Sequence, residues 1–469
     1  MKKNKRNYKT KNKGVKKNSH QRSDIKNQKV NVNCTAIDEE GKGIVNINGQ
    51  KITIPYLIEG ERAEVEIFNK RNFNTGKVNS ILDKSKDRVV PKCPYFFKCG
   101  GCQLQHMSYE AQTDFKEKSV RKLLGDYGKV NRIITMDKPY DYRNKIHSTF
   151  GYGKKREIIS GIYEEYSHRV IPIDRCIIQD PHADAIIGSI RQLMKSFKMK
   201  PFDEDSGQGF LRHVLVKTGF TSGQIMVVLV VSTHIFPSKN NFVKALLKKH
   251  PEITTIVMNV NNRKTSVVLG NIEKVLYGKG TIEDKLCGKV FQISPKSFYQ
   301  INPIQTEKLY NKAIDMAKLE KGEVVLDAYC GIGTIALILS SKVKKVIGVE
   351  LNKNALRDAI NNAKRNKIKN VRFYQGDAGE FMVKMAEDKQ YVDTVFMDPP
   401  RSGSDEKFLS SIVKLGPKKV IYISCNPVSQ ARDLKYLTKN GYGVEEIQPL
   451  DMFPHTYHVE CCSLLTRKE

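Results

Sequence analysis

The sequence predicts an α/β protein with three folded parts, and three observations along the chain predict it. Residues 28–82 carry short runs in which every second residue is apolar, which is typical of small all-β units. Residues 130–295 alternate strand-like and helix-like segments, which indicates an α+β domain. From about residue 300 to the end, helix, strand and glycine-rich turn recur in the order of a doubly wound parallel sheet. We therefore expect domains at 28–85, 86–295 and 296–469.

Charge indicates the class of partner before any motif is considered. The 469 residues include 80 Lys and Arg against 50 Asp and Glu, a formal net charge of +30. A charge of this size makes a polyanion, RNA or DNA first of all, the expected partner. Residues 1–27 are rich in Lys and Asn and have almost nothing to bury, so we expect a disordered basic tail there.

Composition also bears on the compartment. No apolar run approaches the roughly 18 residues of a membrane span, so no membrane partner is expected. The basic N-terminus lacks the apolar stretch of a secretory signal. Ten cysteines on a chain of this length fit reduced thiols or a metal site better than a disulfide framework. We expect a cytoplasmic protein with no obligate protein partner.

The period-two runs of residues 28–85 predict a small OB-like β-barrel. Asn48-Gly49 stands between two of these runs and is a strong hairpin signal. Barrels of this size often bind nucleic acid, although barrel shape alone identifies no ligand. Residues 86–295 carry no nucleotide motif, so we expect the chemistry in residues 296–469.

A glycine-rich turn predicts a cofactor site. An apolar strand ends at Asp327 and turns through Gly331 and Gly333 into a helix, and the next strand ends at Glu350. Ligands of α/β sheets bind beyond the carboxyl ends of strands, and a carboxylate there can accept hydrogen bonds from a ribose diol. The spacing from Gly331 to Ala336 and Glu350 nearly fits the dinucleotide NAD. Asp327 would repel a pyrophosphate but suits the cationic end of S-adenosylmethionine, so both cofactors stay open at this turn.

The segment Asp398-Pro399-Pro400-Arg401 decides between them. A strand that ends in Asp-Pro-Pro places a carboxylate and a stiff turn where a methyl acceptor would lie, which favours S-adenosylmethionine. Enzymes that methylate exocyclic amines usually follow the prolines with an aromatic residue that stacks on the base, so Arg401 argues against that reaction. Asp377 is a candidate contact on the adenine side, although a simple loop acid fits the pattern nearly as well.

Cys425 is the candidate nucleophile. It follows an apolar strand and precedes an Asn-Pro pair, so we expect it at the same rim as the cofactor. C5 of a pyrimidine is too weak a nucleophile to attack a sulfonium methyl group directly. A thiolate that adds to C6 makes C5 nucleophilic, and a base must later remove the C5 proton. Glu460, on the last strand, is the candidate base, with Asp451, His455 and His458 as rivals.

Four cysteines predict a metal site: Cys93, Cys99, Cys102 and Cys176. The first three are closely spaced around two glycines, and Cys176 could supply a fourth sulfur by folding back. Four thiolates alone do not separate zinc from an iron–sulfur cluster. Three aromatic residues at 95–97 would shield a cluster from solvent, which favours iron. Four unrelated buried cysteines is the alternative.

At these residues the sequence resembles a known family, the S-adenosylmethionine-dependent RNA uracil-5-methyltransferases, which form 5-methyluridine. The resemblance runs from about residue 28 to the C-terminus. Four segments carry it: SPKSFYQIN at 294–302, DPPRSG at 398–403, SCNP at 424–427 and DMFPHTYHVE at 451–460. It implies a C-terminal class I, Rossmann-like methyltransferase domain and a TRAM domain in place of the predicted barrel.

The resemblance also implies roles for single residues, with Cys425 as the nucleophile and Glu460 as the base. By the resemblance Gln300, Tyr329, Glu350 and Asp398 would contact the methyl donor. The strand and glycine pattern adds Asp327, Gly331, Gly333 and Asp377 as candidate contacts. The ribosomal RNA members carry a [4Fe–4S] cluster on the spacing of Cys93, Cys99, Cys102 and Cys176. This implies such a cluster here and a substrate in 23S ribosomal RNA. The related cytosine enzymes use a cysteine where Pro400 or Arg401 stands, which disfavours cytosine.

RNA would reach such a site with its uridine flipped out or in a loop. Interleaved basic and aromatic residues predict RNA contacts at Tyr140, Tyr142, Arg143, Arg212 and His213, although ordinary strand residues fit equally well. The alternatives to ribosomal RNA methylation are the same reaction on transfer RNA, a non-catalytic RNA-binding or assembly factor, and a nicotinamide-dependent oxidoreductase.

Overall fold

The structure, a computed structural model, describes residues 28–468 except 71–72, 165–166 and 264–266. The predicted basic tail, residues 1–27, lies outside the described residues. The chain divides into two compact units at about residue 85, with Glu39–Gly41 grouped with the second unit. The boundary predicted at residue 296 falls inside the second unit, which is not divided there.

The first unit is a six-stranded sheet. Its strands are β1 (Gln28–Asn33), β2 (Ala36–Ile37), β3 (Gly43–Ile47), β4 (Gln50–Ile54), β5 (Arg62–Lys70) and β6 (Phe73–Asp83). Asn48 and Gly49 join β3 to β4 with φ angles of 50° and 80°, as the hairpin signal predicts. The strand order is β1-β5-β6-β4-β3-β2, and no pairing joins β1 to β2 among the described residues. The closed barrel is therefore not confirmed, since a two-residue end strand offers too few backbone groups to close the sheet.

The second unit contains a seven-stranded mixed sheet. Its first elements are α1 (Phe96–Cys99), α2 (Tyr109–Leu124), β7 (Lys129–Val130), β8 (Lys145–Tyr152), β9 (Ile158–Tyr163), β10 (Val170–Pro172), α3 (Pro181–Ser196), β11 (Leu211–Thr218), β12 (Ile225–Val231), α4 (Lys239–Lys249), β13 (Ile253–Val260) and β14 (Ile272–Tyr277). The order is β10-β9-β8-β11-β12-β13-β14. Every residue of β12 is buried, because its two faces belong to two different hydrophobic cores, Val227 to the core that contains Ile186 of α3 and Val228 to the core that contains Leu309. This explains an apolar run without alternation.

The remaining elements form first a two-stranded hairpin and then seven strands that join β7 in an eight-stranded sheet flanked by helices. They are β15 (Ile282–Leu286), β16 (Lys289–Ile293), α5 (Pro303–Ala317), β17 (Val324–Asp327), α6 (Thr334–Leu339), β18 (Lys345–Glu350), α7 (Lys353–Arg365), β19 (Val371–Gln375), α8 (Ala378–Glu387), β20 (Thr394–Met397), α9 (Glu406–Leu415), β21 (Lys419–Ser424), α10 (Pro427–Lys439), β22 (Tyr442–Leu450) and β23 (Glu460–Arg467). The order is β19-β18-β17-β20-β21-β23-β22-β7. From β17 to β19 successive strands are added on one side of β17, and β20 and β21 are added on its other side. The point between β17 and β20, where the strand order reverses, is where α/β folds open a ligand crevice.

The eighth strand comes from outside the predicted catalytic domain. β7 pairs in parallel with β22, with Lys129 opposite Glu446. Val120 and Leu124 of α2 share a core with Leu434 of α10. Residues 296–469 therefore do not include one strand of this sheet, β7, or one helix that packs on it, α2. The sequence could not predict this, because packing between residues more than 300 positions apart leaves no local signal.

Among the described residues, none of the helices is both long and apolar enough to span a membrane. The expected cytoplasmic location stays a prediction.

Candidate active site and cysteine pocket

Asp327 ends β17 at the crevice, and its carboxyl is buried. Its Oδ2 accepts a hydrogen bond from the backbone N–H of Ala336 at 2.9 Å. Its Oδ1 is buried without a hydrogen-bond partner among the described residues. Burial and the nearby carboxyls of Asp398 and Glu350 raise the pKa of Asp327 to about 7. A buried carboxylate oxygen left unpaired beside a crevice suits a cationic ligand.

Glu350 closes the glycine-rich turn. Its Oε2 accepts a hydrogen bond from the N–H of Gly331 at 3.0 Å, and its Oε1 accepts one from the N–H of Asn352 at 2.7 Å. Gly331 and Gly333 have φ angles of 54° and 84°, which favour glycine. A Cβ at Gly333 would lie 3.1 Å from the Phe373 ring. The turn thus combines two positive φ angles with a close approach of neighbouring side chains.

Tyr329 and Gln300 flank the same crevice. The Tyr329 ring packs against that of Phe408 with centroids 5.0 Å apart, and its hydroxyl lies 3.4 Å from Ser404 Oγ. The backbone carbonyl of Gln300 accepts a hydrogen bond from Asn144 Nδ2 at 3.1 Å, which ties this segment to the central sheet.

Asp377 has a structural task in the ligand-free chain. It is exposed and caps α8, because its Oδ1 accepts a hydrogen bond from the N–H of Glu380 at 3.0 Å. This matches the interpretation as a simple loop acid, and contact with a donor stays a prediction.

Cys425 and Glu460 lie at neighbouring strand ends. Cys425 directly follows β21 and Glu460 begins β23, and these strands pair antiparallel with Ser424 opposite Cys461. Asp398 follows β20, the other neighbour of β21. Glu460 is 3% exposed, whereas Cys425 is half-buried. Strand register therefore brings a thiol and two carboxyls to one edge of the sheet, and Cys425, Glu460 and Asp398 are here called the rim.

These groups shift one another's ionisation. Burial and the carboxyls of Glu460 and Asp398 raise the pKa of Cys425 to about 11, while the guanidinium of Arg401 opposes the shift. Burial and Asp398 hold the pKa of Glu460 well above its usual range, and Arg401 again opposes the shift. Burial raises the pKa of Asp398. The rim therefore concentrates acidic groups around one cation.

Hydrogen bonds fix the loop that carries Arg401. Asn426 Nδ2 donates to the Arg401 carbonyl at 2.9 Å. The N–H of Ser404 donates to Asp433 Oδ2 at 2.8 Å, and Arg432 Nη2 donates to the Ser404 carbonyl at 2.7 Å. The loops after β20 and β21 are thereby joined to each other and to α10.

Tyr310 of α5 is a site residue that the sequence analysis missed. Its phenol lies near the carboxyls of Asp398, Asp327 and Glu460, which together with burial raise its pKa, and it contacts the Gln300 side chain. In the sequence Tyr310 occupies an ordinary buried helix position. The one usable signal was that α5 immediately precedes the strand that ends at Asp327.

Of the rival bases, Asp451 has both carboxylate oxygens in hydrogen bonds, and the two histidines have pKa values well below the usual value. Asp451 Oδ1 lies 2.5 Å from Lys116 Nζ, and its Oδ2 accepts a hydrogen bond from the Tyr109 hydroxyl at 2.8 Å. Burial lowers the pKa of both His455 and His458 to about 4. Glu460 remains the candidate base that the strand register sets beside Cys425.

The four predicted metal cysteines line a single cavity of about 290 Å³: Cys93, Cys99, Cys102 and Cys176. All four are free thiols. The N–H of Cys176 donates to Asp184 Oδ2 at 2.8 Å, which anchors the distant cysteine at the start of α3. Burial raises the pKa of Cys102 and Cys176 to about 12. The structure thus brings together residues separated by a long stretch of sequence.

This cysteine pocket does not have the geometry of a single-ion site. No three His, Cys, Asp or Glu side chains in the described ranges are arranged to hold one metal ion. Zinc would draw four sulfurs to about 4 Å from one another, since a Zn–S bond is about 2.3 Å. The predicted [4Fe–4S] cluster is not confirmed by this geometry either.

The expected RNA contact at Arg212 is wrong. Arg212 is 2% exposed, its Nη2 donates to Glu204 Oε2 at 2.7 Å, and its Nη1 donates to the Asn261 carbonyl at 2.8 Å. Tyr142 is also buried, and its hydroxyl donates to the Pro454 carbonyl at 3.1 Å. Arg143 is half-buried and lines the cysteine pocket. Strand alternation alone could not show that the Arg212 side chain points inward.

Comparisons with known proteins bear on this site. The family described as tRNA (Uracil-5-)-methyltransferase matches residues 108–468. An uncharacterized RNA methyltransferase of Caldanaerobacter subterraneus subsp. tengcongensis is 41% identical over 94% of this chain and 98% of its own length. An uncharacterized RNA methyltransferase of Clostridium tetani is 42% identical over 94% of this chain and 97% of its own length.

One solved structure is similar over nearly the whole chain. It is the Pyrococcus abyssi tRNA (uracil-54, C5)-methyltransferase in complex with S-adenosyl-L-homocysteine. It has a TM-score of 0.76 and 27% identity, and it covers 93% of this chain and 99% of its own.

Proposed function

The chain belongs to the tRNA (uracil-5-)-methyltransferase family, and from this premise we propose that it methylates C5 of a uridine in RNA through a covalent intermediate. Family membership makes it an S-adenosylmethionine-dependent RNA methyltransferase. The observation that carries the covalent part is the Cys425 thiol beside the Glu460 carboxyl at adjoining strand ends.

The donor site is proposed at the crevice beyond β17 and β18. When bound, S-adenosylmethionine supplies an electrophilic methyl group on a sulfonium. Glu350 would accept hydrogen bonds from the ribose hydroxyls. Its carboxylate already accepts hydrogen bonds from two backbone N–H groups, but it has further lone pairs for this purpose. Asp327 Oδ1, buried and unpaired among the described residues, would accept a hydrogen bond from the ammonium group of the donor. Gln300, Tyr329 and Asp398 would complete the site.

In the proposed reaction Cys425 first loses its proton to solvent, its thiolate Sγ then bonds to C6 of the uracil, and the C5–C6 electron pair moves into an enolate. C5 then bonds to the methyl carbon as the bond from that carbon to the sulfonium sulfur breaks. Glu460 removes the C5 proton, and the released electron pair re-forms the C5–C6 double bond and expels the Cys425 thiolate. A raised pKa makes Glu460 a stronger base once it is ionised.

Arg401 would favour the two anions that the proposed reaction needs, the Cys425 thiolate and the Glu460 carboxylate. Its guanidinium opposes the raised pKa of Cys425 and of Glu460. Added positive charge at the rim would lower both pKa values further, so we expect Cys425 to become reactive when the donor site is filled.

The cysteine pocket is proposed to hold a [4Fe–4S] cluster. A cavity of about 290 Å³ lies between the four thiols, and Phe96, which is buried, lines it. Cys93, Cys99, Cys102 and Cys176 would be the ligands, and their task would be to join the segment around α1 to the segment before α3. No step of the methyl transfer uses the cluster.

We propose ribosomal RNA as the substrate, with transfer RNA as the alternative. Support for ribosomal RNA is the cysteine spacing, which resembles that of the ribosomal RNA enzymes. Likeness to the Pyrococcus abyssi tRNA (uracil-54, C5)-methyltransferase favours transfer RNA. A TRAM-like RNA-binding role for the six-stranded unit is part of the same proposal, and its support is the resemblance of the sequence from about residue 28 onward to that family.

The test uses the full chain with labelled S-adenosylmethionine and two unmodified RNAs, large-subunit ribosomal RNA and transfer RNA. After digestion, the methylated nucleosides are identified by mass. We expect 5-methyluridine from ribosomal RNA. Label confined to transfer RNA would change the substrate, label in another nucleoside would refute the reaction, and absence of label from both RNAs would favour the non-catalytic binding factor.

A further inference from the structure

The residues 451–459, here called the base-side loop, lead directly into Glu460. They connect β22 to β23 without regular secondary structure. Most of them are buried, and Asp451 is fully so. Such a loop has no regular backbone hydrogen bonds within itself to fix its path, so hydrogen bonds from other segments must hold it.

One face of α2 supplies the first support. Tyr109, Gln112 and Lys116 follow one another at spacings of three and four residues, which places them on one side of a helix. Lys116 Nζ lies 2.5 Å from Asp451 Oδ1 and donates to the Phe453 carbonyl at 3.0 Å. The Tyr109 hydroxyl donates to Asp451 Oδ2 at 2.8 Å.

Gln112 extends the same support along the loop. Its Oε1 accepts a hydrogen bond from the N–H of His455 at 3.0 Å, and its Nε2 lies 3.3 Å from His455 Nδ1. Three consecutive positions on one helix face therefore bind both the beginning and the middle of the base-side loop.

The second support is the backbone after Cys102. The N–H groups of Gln103 and Leu104 both donate to the His455 carbonyl at 3.0 Å. His455 has a φ angle of 71°, which residues with a side chain seldom adopt. A strained residue of this kind persists only where its surroundings over-determine it.

The third support comes from the beginning of α5. Gln305 Nε2 donates to the Asp451 carbonyl at 2.9 Å, and Asn302 Nδ2 donates to the Met452 carbonyl at 3.0 Å. Asn302 also caps α5, so this support is rigid with respect to the donor side of the crevice.

We propose that the buried Lys116–Asp451 pair, with Tyr109, positions Glu460 for proton removal from C5. The inference rests on the proposed function and deepens it. A buried ion pair is a poor source of stability, because apolar residues of similar volume often do as well. What the pair supplies is geometry: it fixes both oxygens of Asp451 nine residues before the base. Lys116, Asp451 and Tyr109 are positioning residues, since they act through Glu460.

The test compares variants in the full chain with its natural metal content. Glu460→Gln is the reference for a missing base, because Cys425 can still add and the methylated RNA–protein adduct cannot be released. Lys116→Met with Asp451→Asn removes both buried charges together, so neither is left unpaired. Tyr109→Phe is the gentler variant, and Lys118→Met, at an exposed position of the same helix, is the matched control.

We expect the double variant to lose about 10- to 100-fold in kcat, the size of effect that a displacement near 1 Å produces. Its affinity for S-adenosylmethionine should stay within about twofold, and the covalent adduct should accumulate on denaturing gels as in Glu460→Gln. Tyr109→Phe should show a smaller loss of kcat and the same adduct, with Tm shifted by less than about 4 °C. Lys118→Met should match the unaltered protein.

Two outcomes would overturn the inference. One is a kcat within twofold of the unaltered protein in both the double variant and Tyr109→Phe. The other is parallel loss of kcat, adduct and donor affinity with Tm, which is the signature of a structural role alone. If Glu460→Gln forms no adduct although the unaltered protein methylates RNA, the covalent mechanism itself is wrong, so the two failures are distinguishable.

Discussion

The rim and the cysteine pocket use the same chemical group in opposite ways. At the rim a single thiol, Cys425, sits at a strand end whose neighbours are fixed by pairing. In the cysteine pocket four thiols come from loops and a four-residue helix around a cavity of about 290 Å³. The neighbours of Cys425 are the ends of paired strands, whereas the four pocket cysteines line an open cavity. The difference teaches that strand pairing fixes the position of a single thiol, whereas loops can bring four thiols around one open space.

The largest expected effect is the loss of methylation rate in Cys425→Ala, compared with the same substitution at a buried cysteine. Cys425→Ala removes the nucleophile, so we expect turnover to fall by at least about 10⁴-fold. Cys461→Ala, one strand away and fully buried, is the matched control and should retain most of the activity. Rates are measured as 5-methyluridine formed per enzyme. Methylation by Cys425→Ala at more than about 1% of the normal rate would remove the covalent mechanism.

The second effect tests whether the pocket is filled. Anaerobically prepared protein should contain iron and sulfide and show broad visible absorption from sulfur-to-iron charge transfer. Cys102→Ser should lose this absorption, while its methylation rate falls only a few-fold, because the proposed methyl transfer uses no group of the cysteine pocket. Cys34→Ser, in the six-stranded unit, is the control cysteine. A pocket that binds zinc alone, or a loss of methylation as large as that of Cys425→Ala, would contradict the separation of the two regions.

The third effect concerns pH at the donor side of the rim. Because burial raises the pKa of Asp327 to about 7, this carboxyl ionises mainly between pH 6 and 8. Affinity for the cationic donor should therefore rise over this range, by up to about tenfold. Asp327→Asn should bind the donor more weakly and with a flatter pH profile. Calorimetric titration at pH 6, 7 and 8 measures both, and an unchanged profile in the variant would assign the titration to another group.

The same shift has the opposite sign for stability. The folded chain holds the Asp327 proton more tightly than the unfolded chain does. The contribution of this group to the free energy of unfolding therefore falls as pH rises from about 4 through 7. Thermal unfolding without donor should show this fall, and Asp327→Asn should lessen it.

The smallest effect is expected at the edge of the cysteine pocket. Arg191 lines the pocket and pairs with Asp174 at 2.7 Å, but Asp174 is largely exposed. Exposed pairs contribute less than about 1 kcal/mol, so Arg191→Ala should shift Tm by at most a few degrees. Cluster content should stay normal. A loss of iron in this variant would mean that Arg191 holds the pocket together.

The sequence predicted the rim well because strand patterns carry positional information. An apolar run that ends in Asp398 or before Cys425 tells which residue reaches the carboxyl end of the sheet, and parallel order then assembles the ends. The sequence also identified the four pocket cysteines, although nothing in their spacing could give the width of the cavity. Tyr310 was missed because a tyrosine on a buried helix face has no distinguishing pattern.

Long-range packing accounts for the remaining errors. Arg212 has the composition of an RNA contact, and only the fold shows that Glu204 neutralises it in the interior. The barrel expected at residues 28–85 requires pairing between end strands, which period-two runs cannot show. The domain boundary at residue 296, placed by the recurring order of strand, turn and helix, stays a prediction, and the strand β7 that pairs with β22 lies before it.

The position of β7 bears on how the chain folds during its synthesis. Lys129 and Val130 complete a sheet whose other strands are made last, and their partners in β22 are Glu446 and Ile447. Because a ribosome delivers the N-terminal segment first, β7 and α2 must wait for nearly the whole chain before their apolar side chains can be covered. Residues 296–469 alone lack the strand that pairs with β22 and the helix that shares its core, so we expect them to be less stable than the chain that includes residues 109–130. Synthesis of β22, rather than of any earlier segment, should therefore be the step that lets β7 and α2 pack.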